Sequence, residues 1–205
     1  MEVCENIIYI EGAGFNSNIY IIGKSEIGII DTGASATCIN SILKAMQKFG
    51  LERGNVKKLI LTHIHPDHTG GIPEFIDAFD PLIYMHKAEA PRLFRNPPPK
   101  LHLLEGGETL TIDTLTLQVI HTPGHSAGCC CFYEGKLKVL FSGDTVFSFG
   151  NIGRTDLGGD PELLVNSIEK LLKLDVEYIC PGHMVCTKGG NKSIQQSYNF
   201  AKMIL

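Results

Sequence analysis

The sequence predicts an α/β (α+β) fold: two β-rich halves, each interleaved with helices, form two packed sheets with the helices outside. Three observations predict it. Short runs of isoleucine, leucine and valine recur in both halves of the chain. Amphipathic stripes at helical spacing separate them. Turns containing glycine, asparagine or proline close each run. The 205 residues suit one domain spanning 1–205, with Pro97-Pro98-Pro99 as a surface loop inside it.

The first third opens with strands at Ile7 to Ile10, Ile19 to Ile22 and Ile27 to Ile30. Asp31-Thr32-Gly33 ends the third. Ser35 can cap a helix with apolar positions Ile39, Ile42, Leu43, Met46 and Phe49, stopped at Gly50. Lys58 to Thr62 is the next strand, and a histidine cluster follows it directly. The middle continues with a helix over Pro73 to Phe79, a strand over Leu82 to His86 and a helix over Lys87 to Arg95, which the proline run cannot continue. Leu101 to Thr122 reads as β with a turn at Glu105-Gly106-Gly107-Glu108. Cys129 to Tyr133 and Leu137 to Ser142 form a hairpin around Glu134-Gly135. In the last third, Asp160 is an N-cap with Pro161 at the first helical position, and Leu164, Ile168, Leu171 and Leu172 supply the stripe. Glu177 to Cys180 is a strand. Ile194, Tyr198, Ala201 and Leu205 mark a closing helix.

A formal net charge of −4 leaves no basic footprint, so phosphate-mediated nucleic-acid binding is not expected. The longest apolar runs are far too short to span a bilayer, and no charged segment followed by an apolar core marks a secretory leader. Seven cysteines without framework spacing read as reduced thiols. A cytoplasmic protein acting on a small-molecule substrate, with neither nucleic acid nor membrane as partner, is the expectation.

The chemistry concentrates in His63-Ile64-His65-Pro66-Asp67-His68. Residues two apart on extended backbone point the same way, so His63 and His65 can reach one ion together. Past the bend at Pro66, Asp67 and His68 can turn towards a second. Imidazole and carboxylate suit zinc, iron or manganese. Three more candidate ligands stand at strand or loop junctions, each beside a glycine that lets the backbone turn sharply: His125 in Pro-Gly-His-Ser, Asp144 in Ser-Gly-Asp-Thr and His183 in Pro-Gly-His. The isolated His86, His102 and His121 read as structural. Cys129 to Cys131 read as strand residues.

His-x-His-x-Asp-His followed in order by such a His, Asp and His resembles the signature of the metallo-β-lactamase superfamily, and Asp31 matches its early aspartate. The stretch Gly153-Arg154-Thr155-Asp156-Leu157-Gly158-Gly159-Asp160, with Asp144, is similar to short glyoxalase II-like hydroxyacylglutathione hydrolases. The resemblance implies a four-layer αβ/βα fold. It implies two divalent metals, zinc first and then iron or manganese. His63, His65 and His125 would hold one, Asp67, His68 and His183 the other, and Asp144 would bridge. Asp31 would orient a ligand from behind. Asp67 and Asp144 would serve catalysis, and Arg154 could meet a substrate carboxylate.

The implied reaction is hydrolysis of an S-2-hydroxyacylglutathione-like thioester by a metal-bridging hydroxide. Two departures from the full-length enzymes bear on the thiol. Only one helix can follow His183, and Asp156 stands where they place a tyrosine. Alternatives on the same fold are a mononuclear-iron persulfide dioxygenase, with which the chain shares Gly-Arg-Thr-Asp, and a lactone hydrolase.

Overall fold

The computed structural model describes residues 1–204. Its strands are β1 (Glu2–Cys4), β2 (Ile7–Ile10), β3 (Ile19–Ile22), β4 (Ile27–Ile30), β5 (Val56–Ile60), β6 (Leu82–His86), β7 (Leu101–Leu104), β8 (Thr109–Ile112), β9 (Leu115–His121), β10 (Cys130–Glu134), β11 (Val139–Gly143), β12 (Tyr178–Pro181) and β13 (Thr187–Lys188). Its helices are α1 (Cys38–Lys48), α2 (Pro66–Thr69), α3 (Ile72–Phe79), α4 (Ala90–Leu93), α5 (Pro161–Leu171) and α6 (Gly190–Ile204). No helix among the described residues is long and apolar enough to cross a membrane.

The strands form two mixed sheets. One runs β1-β2-β3-β4-β5-β6-β7 and the other β13-β12-β11-β10-β9-β8. In the first, β1 to β4 pair antiparallel and β4 to β7 parallel. In the second, only β11 and β12 are parallel.

Alternate residues of each strand serve different layers, because successive side chains point to opposite faces. Ile7, Tyr9, Ile22, Ile30 and Ile60 meet Ile112, Leu117, Phe132 and Phe141 between the sheets. Their neighbours Ile8, Ile21, Ile29 and Leu59 face outward onto Ile42 and Met46 of α1 and Phe75 of α3. On the far side, Leu140 and Ile179 pack under Leu164 and Ile168 of α5 and Ile194 of α6. The layers therefore run helix, sheet, sheet, helix. Burial on both faces explains why β3 and β4 read as unbroken apolar runs rather than alternating ones.

Four local readings differ from the structure. Ser35 does not cap α1: Thr37 holds that position without a side-chain cap bond, and Ser35 Oγ lies 2.8 Å from Thr37 Oγ1 instead. The helix expected over residues 87–95 shrinks to α4, with Pro91 in its first turn, because Lys87 N donates to Leu104 O and holds that residue against β7. The turn at Glu105–Glu108 does not join two strands of one sheet. It carries the chain from β7, at the edge of one sheet, to β8, at the edge of the other. The Leu115 strand begins after a separate turn at Asp113, whose φ is +54°.

Asp160 caps α5 as the sequence indicates, accepting from Leu163 N at 3.0 Å. The seven thiols are unbonded, and Cys129, Cys130 and Cys131 lie buried at and beside the start of β10.

Candidate metal centre

The loops that follow β4, β5, β9, β11 and β12 all leave from one end of the two sheets. There the sheets join through backbone bonds: Cys130 N donates to Thr62 O at 2.9 Å and Asn18 N to Gly182 O at 2.7 Å. Every sequence-predicted ligand stands on one of these loops. The structure brings all seven together.

His63 is buried just past β5. Its Nδ1 lies 3.0 Å from Thr62 Oγ1, which leaves Nε2 facing inward, 3.2 Å from His125 Nε2. His65 turns its Nδ1 to the same point, 2.7 Å from His125 Nε2. His125 donates from Nδ1 to the Arg154 carbonyl at 2.6 Å, which fixes the tautomer that presents Nε2. The bend at Pro66 is the short helix α2, and it turns Asp67 and His68 away from His65 to the other side of the cluster. Asp67 Oδ2 lies 2.9 Å from His183 Nε2 and 3.7 Å from His68 Nε2.

Asp144 stands between the two groups. Its Oδ1 is 3.3 Å from His68 Nε2, while its Oδ2 is 3.5 Å from His125 Nε2 and 3.6 Å from His183 Nε2.

Asp31 lies behind His68. Its Oδ2 is 2.7 Å from His68 Nδ1, and the same carboxylate accepts from Thr62 N and Thr62 Oγ1, each at 2.8 Å. Asp31 has φ +59°, a left-handed conformation that aspartate tolerates better than most residues. It thereby ties β4 to β5 and aims His68 Nε2 into the cluster.

Two glycines are required by close approach. A Cβ on Gly182 would lie 2.2 Å from Asp144 Oδ1 and 2.6 Å from His68 Cε1. A Cβ on Gly124, whose φ is +140°, would lie 2.3 Å from Leu164 N of α5.

The donors fit metal ions. Three groups, His63/His65/His125, His63/His68/Asp144 and Asp67/His68/His183, each place their ligand atoms within 4.8 Å of one another. Imidazole nitrogens that face one another at such distances repel unless a proton or cation lies between them. His68 Nε2 and Asp144 Oδ1 are buried, face each other at 3.3 Å and have no other hydrogen-bond partner, an arrangement that a cation between the donors satisfies. The cluster is therefore capable of holding two metal ions.

Burial and neighbouring charge set the protonation of these groups. Burial, helped by the neighbouring His68 charge, holds His63 well below the usual histidine range, and burial beside His125 lowers His65. Burial would lower His68 too, but Asp144 and Asp31 outweigh it and raise it well above that range. Burial would raise Asp144, yet His68, His63 and His125 hold its carboxyl far below the ordinary value. Burial would raise Asp67 as well, but its bond to His183, the His68 charge and a backbone hydrogen bond together lower it.

Arg154 lines a cavity of about 410 Å³ over the ligands. Its side chain is largely exposed and its fork is closed by Asp156, with Nε to Oδ1 at 2.6 Å and an Nη to Oδ2 at 2.5 Å. The backbone carbonyl of Arg154 thus has a site contact through His125, whereas its guanidinium is engaged by its neighbour.

The sequence reading missed Thr62, Asn18 and Tyr20. Asn18 Nδ2 donates to Pro181 O at 2.9 Å and Met184 O at 2.7 Å, and Tyr20 Oη donates to Pro181 O at 2.7 Å. These bonds clamp the loop bearing His183. The only signal for Asn18 was a polar residue directly before an all-apolar strand.

Residues 12–183 match the family model described as the metallo-beta-lactamase superfamily. The chain is 33% identical over 193 residues to hydroxyacylglutathione hydrolase GloC of Haemophilus influenzae, covering 85% of this chain and 88% of that one. Among solved structures, the BLEG-1 B3 metallo-beta-lactamase superposes with a TM-score of 0.77 at 34% identity, covering 91% of this chain and 95% of the other. TTHA1623 in a di-iron-bound form gives a TM-score of 0.73 at 30% identity, covering 90% and 96%.

Proposed function

The chain belongs to the metallo-beta-lactamase superfamily, and we propose that within it this protein is a thioester hydrolase of the hydroxyacylglutathione hydrolase type, working on a small-molecule substrate. The observation that carries this reading is the placement of Asp144. One carboxylate oxygen faces His68 and the other faces His125 and His183, so a single side chain reaches both ligand groups. The similarity to GloC supports the choice of thioester.

His63, His65 and His125 would hold one cation, and Asp67, His68 and His183 the other, with Asp144 shared. Zinc is our first assignment; iron and manganese suit the same donors. When bound, the pair supplies a water acidified towards neutral pH and a positive field for the developing oxyanion.

The protein's own groups do the rest. Asp31 and Thr62 hold His68 and His63 in the tautomers that present Nε2 to the centre. The Arg154 carbonyl does the same for His125. Asp67 Oδ2 lies 2.9 Å from His183 Nε2 on the cavity wall, so these two donors face the second cation's position together. The departing group needs little help, since a thiol with an ordinary pKa near 8.5 leaves readily as a thiolate. No serine or cysteine nucleophile is required.

The test is metal analysis of the purified protein together with hydrolysis of S-lactoylglutathione, a lactone and a β-lactam in parallel. Two metals per chain, thioester turnover, and loss of that turnover in His63→Ala is the expected result. Fully metal-loaded protein that cleaves the β-lactam or lactone but no thioester overturns it, as does a single iron per chain with oxygen uptake.

A further inference from the structure

Beside the ligand cluster lies a second cavity of about 650 Å³. We propose that it binds the acyl portion of the substrate, and that this portion is an extended apolar chain. The proposal rests on the thioester reading above and names the class of acyl group.

Four observations support it. The walls are Ile64, Ile72, Leu93, Phe94 and Leu157, a lining suited to hydrocarbon. The cavity shares His65, Pro66 and Leu157 with the space over the ligands, so the two adjoin and a chain attached to a carbonyl at the cluster has only to pass these residues to enter it. Leu157, which borders both cavities, is 58% exposed, and Phe15 on the wall of the ligand cavity is 69% exposed, so apolar side chains also reach the surface beside the cluster. Finally, the polar grip that a charged peptide needs is weak here, because the fork of Arg154 is closed by Asp156. Among the described residues, Arg92 is the one cation on the second cavity's wall. It is exposed, and its aliphatic stem can line the wall while the guanidinium stays in water.

The carrier thiol takes the other direction. His183 lines the space over the ligands but not the second cavity, and its side chain is 31% exposed. A polar leaving thiol departs on that side, and the apolar acyl chain occupies the lined cavity. Both cavity volumes fall within the usual span of about 300–1,000 Å³ for small-molecule sites.

The experiment uses the metal-loaded protein and acetyl, butyryl, hexanoyl and octanoyl thioesters of one thiol, glutathione. The expected result is a rise in kcat/KM of about fourfold for each methylene buried. Calorimetric binding of acetate, hexanoate and octanoate supplies a readout independent of turnover and should follow the same trend. In Leu157→Glu, at an exposed position the fold tolerates, and in Leu93→Asp, the dependence on chain length should flatten in both assays. Hydrolysis of all four esters at similar kcat/KM overturns the acyl-cavity proposal and leaves the thioester reading standing. Carboxylate binding that strengthens with length, with no thioester cleaved, supports the cavity assignment and sinks the thioester reading. Carboxylate binding that ignores length overturns the cavity assignment whatever the turnover.

Discussion

The two sheets deliver their ligands in different ways. The first sheet supplies His63, His65, Asp67 and His68 from one short stretch after β5. Asp31, at the end of the neighbouring strand β4, fixes that stretch through three contacts. The second sheet supplies His125, Asp144 and His183 from three separate strand ends. These are fixed by long-range contacts: the Arg154 carbonyl on His125, the N-terminus of α5 against Gly124, and Asn18 and Tyr20 on the His183 loop. The first half is local and side-chain-tied. The second is assembled by the fold and tied largely to backbone atoms. The difference predicts how each half breaks.

Asp144 is the point where the halves meet, so its loss should have the largest effect. Asp144→Ala removes the only carboxylate, among the described residues, with an oxygen towards each group. Metal content should fall from two per chain to one or fewer. Thioester turnover should drop by on the order of 10² to 10³ or more, the cost of losing a preorganised electrostatic group at the reacting centre. Elemental analysis and kcat measure this. An unchanged stoichiometry would mean that the halves work independently and that Asp144 is not shared.

Asp31→Asn tests the local half alone. Asparagine accepts the left-handed backbone at φ +59°, so strain is not the variable. What changes is the charge and one acceptor oxygen behind His68. A loss of roughly 10- to 100-fold in metal affinity or activity is expected, as for other groups that orient a ligand from behind. Metal titration against a chelator reads it. Retention of full affinity would reduce Asp31 to a strand tie.

The same contrast explains what the sequence disclosed. His63 to His68 are contiguous because one loop carries them, so the motif was visible without any knowledge of the fold. His125, Asp144 and His183 each stand beside a glycine, a weak signal alone that gained weight because all three follow the cluster in order, and Gly182 and Gly124 prove to be sites where a Cβ would collide with Asp144 and Leu164. Strands β2, β3, β4 and β6 were legible to their end residues, because apolar runs bounded by turns depend on local chemistry. The partition of β7 and β8 between two sheets was not legible, since strand partners are set by distant segments and Glu105–Glu108 looks like any tight turn. α2 was missed because four residues are too few to show a period. Thr62, Asn18 and Tyr20 were missed because their roles are hydrogen bonds to residues remote in the chain.

Protons should also distinguish the halves of the metal-free site. His63 and His65 are lowered, so near neutral pH they are already uncharged and an ion binds them without displacing a proton. His68 is raised by Asp144 and Asp31 against burial, so it retains a proton that an ion must displace. Below the raised pKa of His68, affinity for the ion at Asp67, His68 and His183 should fall about tenfold per pH unit, while the ion at His63, His65 and His125 responds less. On acidification the His68 ion should leave first. Calorimetry in buffers of different ionisation heat should show about one proton released with that ion and fewer with the other. Equal release from both would remove this distinction.

The smallest effect tests whether the second half is held by backbone. Asp160 does two things at the start of α5. Its carboxylate accepts from Leu163 N at 3.0 Å, and its own N–H donates to the Gly124 carbonyl at 2.6 Å, one residue before His125. Asp160→Ala deletes the first bond and keeps the second. Loss of an N-cap costs about 1 kcal/mol, which lowers Tm by roughly 2–4 °C in a chain of this size. Because the bond to Gly124 survives, metal content and kcat should stay at the parent value. If metal loss accompanies the fall in Tm, the cap is coupled to the His125 loop, and the second half depends on side chains as much as the first does through Asp31.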